Sequence, residues 1–508
     1  MIDLSTALNT AVRSDVPLLP LFILLTSLLA APVLFALPER AARLRTGLNL
    51  GVAAMKVALV AWLGIKVSQG VIYDVSFAML PGLEFKLQAD PLAILFISLS
   101  AILWLITTVY SVGYLERGPH RARFFGFFSL CVAATVGIAM AGNLFTFLIF
   151  YELLTLATYP LVIHRGSAEA LRAGRIYLIY TLAGGLVLLL GTLGLWVLAG
   201  NTDFTPGGVL DAVVAENRAA AQLLFVVLVG ALGVKAALVP LHAWLPIAMV
   251  APAPVSALLH AVAVVKAGAF GIMRVVYEVF GIDTAQALGL TAPLAALAAV
   301  TILYGSLRAI TQDDIKKRLA YSTVSQVSYI TLGVALASPV AAVGALAHLI
   351  HQGLMKITMF MAAGNLAEGM GVKRVSQMDG IGRAMPGTML AFSAAALAMI
   401  GLPPLAGFVS KWYLAQGGLD AGAAWVVALL LGSSLLNAVY FLPMLYRAWF
   451  RDGSETCATP ARPRIGWWLA APPITTALMV LVVGGFANAP FSPLEWTRFV
   501  VAIEYLQE

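Results

Sequence analysis

Five ionisable side chains stand in surroundings that otherwise read as membrane interior. Glu152 lies in LFTFLIFYELLTLATYPLVI, Lys235 in GALGVKAALVPLHAW, Lys266 in LLHAVAVVKAG, Lys356 in LIHQGLMKITMF and Lys411 in GFVSKWYL. A charge at membrane depth is costly, and where one is kept it marks an ion or proton pathway. Glu152 is the one acid that the sequence sets deep within an apolar run. A carboxyl buried alone sheds its charge, and a neighbouring ammonium restores it, so Glu152 with Lys235 or Lys266 forms a pair whose protonation follows their separation. Thr155 and Tyr159 share the face of Glu152 at i+3 and i+7. His348, Gln352 and Lys356 follow one another at i, i+4 and i+8, with His351 beside them. Imidazole passes protons near neutral pH, so this stripe reads as a relay. Two histidines are too few to hold zinc, so no metal is expected. His260 stands six residues before Lys266, about 120° away at the helical period. A water could join them, or His260 could be a core histidine bonded to backbone. His242 and His120 read as near-surface residues. Lys411 reads as a gate toward the outer side. Lys56 reads as a snorkelling lysine or one that meets another subunit.

These groups need helices that can open their backbones. Pro240, Pro246, Pro252 and Pro254 fall between Lys235 and Lys266, and Pro403 and Pro404 precede Lys411. Proline removes a donor and clashes with the preceding turn, so helix breaks are expected at Pro240–Pro246 and at Pro403–Pro404. Broken helices at membrane depth are tolerated where they face protein or a water-filled cavity, and such breaks in two halves of a chain point to transport sites. Two lysine-bearing breaks predict two structural repeats, over 124–280 and 290–450. Residues 1–123 would precede them with three helices and an outer hairpin, and 451–508 would follow with a last helix.

The composition agrees. Of 508 residues 61% are hydrophobic and 11% charged, where a soluble chain would carry about a quarter charged. Apolar runs long enough to span a bilayer fall at 16–37, 47–67, 91–115, 124–141, 143–163, 176–199, 219–239, 254–280, 290–310, 319–337, 340–366, 386–414, 424–450 and 467–486. The fold class is therefore all-α and polytopic, with about fourteen transmembrane helices. The first run is longer than a signal-peptide core, so no cleaved leader is expected. Residues 70–90 alternate around Pro81–Gly82 like a short outer hairpin. The polar stretch QDDIKKRLAYSTVSQVSYI reads as structural, with Asp313 and Asp314 capping the helix that follows. Cys131 and Cys457 make no disulfide framework and no metal or redox motif. No nucleotide-binding loop appears.

The net charge of +7 is a matter of topology rather than of nucleic acid. Alternate loops hold Arg40, Arg43 and Arg45, then Arg117, Arg121 and Arg123, then Arg165, Arg172 and Arg175, then Arg308, Lys316, Lys317 and Arg318, then Lys373, Arg374 and Arg383, then Arg447, Arg451, Arg462 and Arg464. The opposite side holds only Arg13, Lys86, Arg218, Arg274 and Arg498. By the positive-inside rule the first side is cytoplasmic, and both termini lie outside the cytoplasm.

The segments YELLTLATYPL, GVKAALVPLHAWLPIAM, APAPVSALLHAVAVVKAG, DDIKKRLAYSTVSQVSYI, LIHQGLMKITMF and GLPPLAGFVSKW, taken together, resemble the antiporter-like subunits of respiratory complex I and of Mrp sodium/proton antiporters. In length the chain is most like the Mrp D type. The resemblance implies two inverted five-helix repeats and a hydrophilic axis along the membrane plane. It implies that Glu152 and Lys235 are the coupling pair, and that Lys266, Lys356 and Lys411 continue the path. It further implies a bacterial inner-membrane complex of several membrane subunits that moves protons, with sodium left open as a second cation. No cofactor and no redox or hydrolytic site is implied in the chain itself. The parent complex could be an Mrp antiporter, complex I, a membrane-bound hydrogenase or a bicarbonate-uptake pair.

A reporter active only in the cytoplasm, fused after Glu508, is expected to stay silent. A strong signal from that fusion would reverse the topology.

Overall fold

The computed structural model describes residues 12–13, 18–80, 82–115, 118–452 and 465–505. Both termini, Pro81, Arg117, Cys457, Arg462 and Arg464 lie outside the described residues. The chain is a bundle of long helices. In order, these are α1 (Leu19–Ala36), α2 (Ala42–Ser68), α3 (Pro91–Tyr114), α4 (Arg121–Ala139), α5 (Leu144–Val162), α6 (Ala168–Ala199) and α7 (Arg218–Lys235). There follow α8 (Ala253–Ala261), α9 (Val264–Arg274), α10 (Thr291–Ile310), α11 (Ile315–Ala335) and α12 (Pro339–Met370). The last are α13 (Pro386–Ile400), α14 (Ala406–Asp420), α15 (Trp425–Phe450), α16 (Trp467–Gly485) and α17 (Pro493–Tyr505). Between α2 and α3, strands β1 (Asp74–Leu80) and β2 (Leu83–Gln88) pair antiparallel, with Ser76 opposite Lys86.

Among the described residues twelve helical spans are long and apolar enough to cross a membrane. Two of the fourteen expected runs do not qualify. The run at 319–337 forms α11, whose serines, threonines, glutamine and basic first turn lower its hydropathy although it is buried along most of its length. The run at 386–414 is divided into α13 and α14, each too short to span alone. Helix α17 lies beyond the last expected run, and Leu494, Val500 and Val501 bury it against the bundle.

The centre of the bundle is set by two elements. Every residue in the most apolar window of Ala253–Phe280 is buried, and α12 is buried over nearly all of its 32 residues. The peripheral helices α2, α6 and α16 keep one face outward, as spans that meet lipid must.

Other expectations change as well. The run 254–280 is not one helix: it parts at Val262 and Ala263, whose N–H groups both turn back to Leu258 O. No glycine or proline marks this break. The β-branched cluster of Val262, Val264 and Val265 weakens the helix locally. Pro246 does not break a helix but sits inside the short turn Trp244–Ile247, while Pro240 lies in the open segment before it. His242 is buried, with its ring 4.8 Å from that of Tyr304. Finally, Lys56 neither snorkels nor faces outward. It is fully buried, and its Nζ donates to Ser27 Oγ at 2.5 Å.

A buried ion cluster ties the bundle together on the side opposite the arginine-rich loops. Arg274 at the end of α9 reaches Asp90 at 2.7 Å and binds Glu278 one turn on. Asp90 also caps α3 through the Ala93 amide. Arg274 thus lies in the bundle rather than in a loop, and Glu278 joins Glu152 as a second acid withdrawn from the surface. Removing one partner of such a cluster costs about 3–5 kcal/mol, because the others stay charged and buried.

Candidate functional site

The site begins where α7 stops. Its last residue is Lys235, and the chain then runs non-helically through Ala236–Ala243 with Ala237 at φ 57°. A helix that ends inside a bundle frees carbonyls that no water bathes, and each needs a donor. Here the Ala236, Leu238 and Ala237 amides donate to Leu232 O, Gly233 O and Val234 O, the Trp244 indole adds a second donor to Val234 O at 2.8 Å, and the Tyr151 hydroxyl adds one to Ala231 O, one turn inside the helix, at 3.3 Å. A lysine in the last turn adds a cation at the negative end of the helix dipole. Gly268 lets α9 pass directly over this end, since a Cβ there would lie 2.7 Å from the Lys235 carbonyl carbon.

The Lys235 ammonium donates to Tyr151 O and lies 3.3 Å from the centroid of the Tyr151 ring. Glu152 is the next residue on α5, and Lys235 is the charge that acts on it. The two form no ion pair within 4 Å in this conformation. Glu152 is half-buried, and its Oε1 is buried without a hydrogen bond. The carboxylate fits into a notch at Gly185 of α6, where a Cβ would collide with Oε1.

Lys266 on α9 is fully buried, and its Nζ has no hydrogen-bond partner among the described residues. It lies within electrostatic reach of His348, His351 and Lys356, all on α12. Lys356 donates to Leu319 O at 3.1 Å and to Ser322 Oγ, both on α11. His348 Nδ1 is 2.9 Å from Ser410 Oγ on α14, next to Lys411. The Tyr329 ring lies between them, 5.1 Å from the His348 ring and 5.5 Å from Lys411 Nζ.

Lys411 repeats the logic of Lys235 at the second break. Pro403 and Pro404 lie between α13 and α14, and the freed carbonyls of Met399 and Ile400 accept from Lys411 Nζ at 3.0 and 2.9 Å. Asn437 adds a second donor to Met399 O, and Ser434 takes the third Lys411 proton at 2.9 Å. The four lysines thus differ in kind. Lys411 is saturated, Lys356 and Lys235 are partly held, and Lys266 is unpaired by protein.

Around Lys266 the amide of Gln326, the amide of Gln352, His348 Nε2 and both ring nitrogens of His351 are buried without completing a hydrogen bond. Buried polar atoms in a polar setting are satisfied by ordered water. His260 stands to one side of this axis, stacked 4.5 Å over Phe360, with Nε2 3.2 Å from Met249 Sδ. Met249 in turn lines a cavity of about 240 Å³ that also borders Arg165, Glu169, Asp314, Lys316 and Lys373. That cavity is on the arginine-rich side. Because α8 and α9 are separate helices, the 120° offset expected between His260 and Lys266 has no meaning here. Among the described residues no group of three or more His, Cys, Asp or Glu side chains could hold a metal ion.

Comparison with known proteins decides the family. The family profile "NADH:quinone oxidoreductase/Mrp antiporter, TM" matches residues 141–437, a stretch that holds both breaks and every lysine of the axis. The chain belongs to this family. A second profile, "NADH-Ubiquinone oxidoreductase (complex I), chain 5 N-terminus", matches 81–125. The chain is 40% identical over 390 residues to NADH-quinone oxidoreductase subunit N of Desulforudis audaxviator, covering 75% of this chain and 76% of that one. It is 30% identical over 373 residues to a Na(+)/H(+) antiporter subunit of Bacillus subtilis, covering 73% and 74%. A chain of the Mrp complex from Dietzia superposes with TM-score 0.85 at 25% identity, over 96% of this chain and 97% of that one.

Several residues of this site carry no sequence signal strong enough to single them out. Tyr151, Trp244 and Asn437 act on helix-end carbonyls, and Gly185 acts by having no side chain. Gln326, Ser322 and Tyr329 belong to the stretch that reads as merely structural. Their spacing of three and four within a buried helix is the available cue.

Gly185→Ala is expected to displace the Glu152 carboxylate without opening the core, since the atom it meets is the free end of a side chain. Cation-dependent proton flux in vesicles should fall several-fold while the complex assembles normally. Unchanged flux would show that the notch has no bearing on Glu152.

Proposed function

We propose that the chain is the proton- or monovalent-cation-translocating membrane subunit of a multisubunit complex in a bacterial inner membrane, with both termini periplasmic. The observation that carries this reading is the row of buried ionisable groups from Lys235 through Lys266, His351, His348 and Lys356 to Lys411. These groups are buried between two broken helices, and the Lys266 ammonium among them is unpaired by the described residues. The two breaks belong to two repeats, 124–280 and 290–450.

The mechanism follows from pairing. When Glu152 and Lys235 approach, each stabilises the other's charge. When Lys235 is drawn away, Glu152 loses its partner and its affinity for a proton rises; here Lys235 donates to Tyr151 O, short of an ion pair but still the charge that acts on Glu152. Lys235 then releases its proton toward Lys266. Lys266 has no protein hydrogen bond to break, so proton transfer through water to His351 or His348 meets the smallest reorganisation. Lys356 holds a proton at the edge of the axis. Lys411, tied to two carbonyls and a serine, is the terminal site and releases outward only when the α13 end loosens. His260 connects the arginine-rich cavity to the axis. A dry setting strengthens such pairings to several kcal/mol, and water in the axis reduces them.

A second reading, a subunit that conducts protons for a redox-driven complex, is favoured by the 40% identity to a subunit named for NADH-quinone oxidoreductase. Identification of the subunits that co-purify with the intact complex separates the two. Both readings share one expectation. Glu152→Gln keeps shape and hydrogen bonding but removes the charge, so proton flux in vesicles should be lost while a native gel shows normal assembly. Near-normal flux in an assembled Glu152→Gln complex would remove Glu152 from the pathway.

A further inference from the structure

A second buried polar system lies outside the axis, among α1, α2 and α3. The inward face of α2 carries Arg45, Asn49, Ala53, Lys56, Val60, Leu63 and Val67, all buried. Its first half is polar and its second half is not. Arg45 is held at the arginine-rich surface by the Pro38 and Glu39 carbonyls, with Glu39 also meeting Arg121. One turn in, Asn49 donates to Arg45 O, and its Oδ1 is buried without a partner. Two turns further, Lys56 ends the polar half. Its ammonium meets Ser27 of α1 and lies 5.1 Å from the Trp104 ring of α3.

Helix α3 runs antiparallel to α2, and it repeats the pattern. Trp104 and Thr108 share a face one turn apart, with Thr108 nearer the arginine-rich end. Trp104 Nε1 and Thr108 Oγ1 are both buried without a hydrogen bond. From the Lys56–Trp104 contact, Thr108 one turn along α3 and Asn49 two turns along α2 both lie toward the arginine-rich end, and these three residues, each with an unpartnered polar atom, define a strip between that surface and the lysine. No carboxylate lies within ion-pair distance of Lys56 among the described residues. The charged groups that share the strip are Arg45, Glu39 and Arg121, all at its mouth. Beyond Lys56 the same face of α2 is apolar, with Val60, Leu63 and Val67 all buried.

We propose that Lys56 is a second proton-binding site, reached by water from the arginine-rich face along the Asn49–Thr108–Trp104 strip and closed toward the opposite face. Buried polar atoms that protein leaves unpaired are satisfied by water. A lysine with one hydroxyl partner and no counter-charge needs that water to take up and give back a proton. The closed apolar half makes the strip a reservoir in contact with one side rather than a through-path. The proposal does not depend on the Lys235–Lys411 axis, because no residue is shared.

The test uses the intact purified complex. Hydroxyl radicals generated by X-ray radiolysis of water oxidise side chains next to bound water. Trp104 should be oxidised several-fold faster than Trp244, which is equally buried but whose indole is bonded to Val234 O. Reductive methylation with formaldehyde, followed by peptide mass spectrometry, reports the amine itself. Lys56 should be methylated at a rate that rises with pH, as only the neutral amine reacts. That rate should fall several-fold in Asn49→Leu and Thr108→Val, which block the strip without touching Lys56. Trp104 as protected as Trp244 would overturn the hydrated strip. Lys56 left unmodified where Lys66 and Lys86 are fully methylated would overturn the proton-binding site.

Discussion

Inside a membrane every freed backbone group must find its partner in the protein or in water that the protein encloses, and this constraint shapes the whole site. At the two proline-marked breaks, helices end in the middle of the bundle at Lys235 and at Ile400. Each end is tolerated because its last carbonyls find donors: backbone amides and the Trp244 indole at the first, Lys411 and Asn437 at the second. Lys411 is therefore placed by backbone need as much as by ion chemistry. A cation at the negative end of a helix dipole is held there at little cost, and the same hold makes its release depend on the conformation of the break.

From this follows a graded series rather than a row of equal sites. Lys411 has all three protons engaged, and Lys266 has none. The series thus runs from an ammonium that the described residues leave unpaired to one that they hold completely. Membership of the NADH:quinone oxidoreductase/Mrp antiporter family fits such a device, since the profile covers both breaks and the axis that joins them.

Much of this is legible in the sequence for a simple physical reason. A charged residue in an apolar run is conspicuous, so Glu152 and the lysines of the axis stand out, and prolines announce two of the three breaks. The break at Val262–Ala263 stays hidden, because its cause is local crowding and hydrogen bonding rather than a residue that cannot be helical. Arg274 reads as lying in a loop because hydropathy weighs each charge singly, whereas the fold buries it as one cluster with Glu278 and Asp90. The inward direction of Lys56 is equally out of reach. Its partners Ser27 and Trp104 are on other helices, and only packing brings them together.

The central claim is that one continuous path joins the two breaks through Lys266. Its most direct test is proton flux in proteoliposomes holding the intact complex with Lys266→Met, which keeps the length of the side chain and removes the amine. The account predicts that flux is abolished while assembly, and the flux of a Lys66→Met control, remain as in the unaltered complex. Flux retained in Lys266→Met would mean that the two halves do not communicate through α9, and the path as described would be wrong.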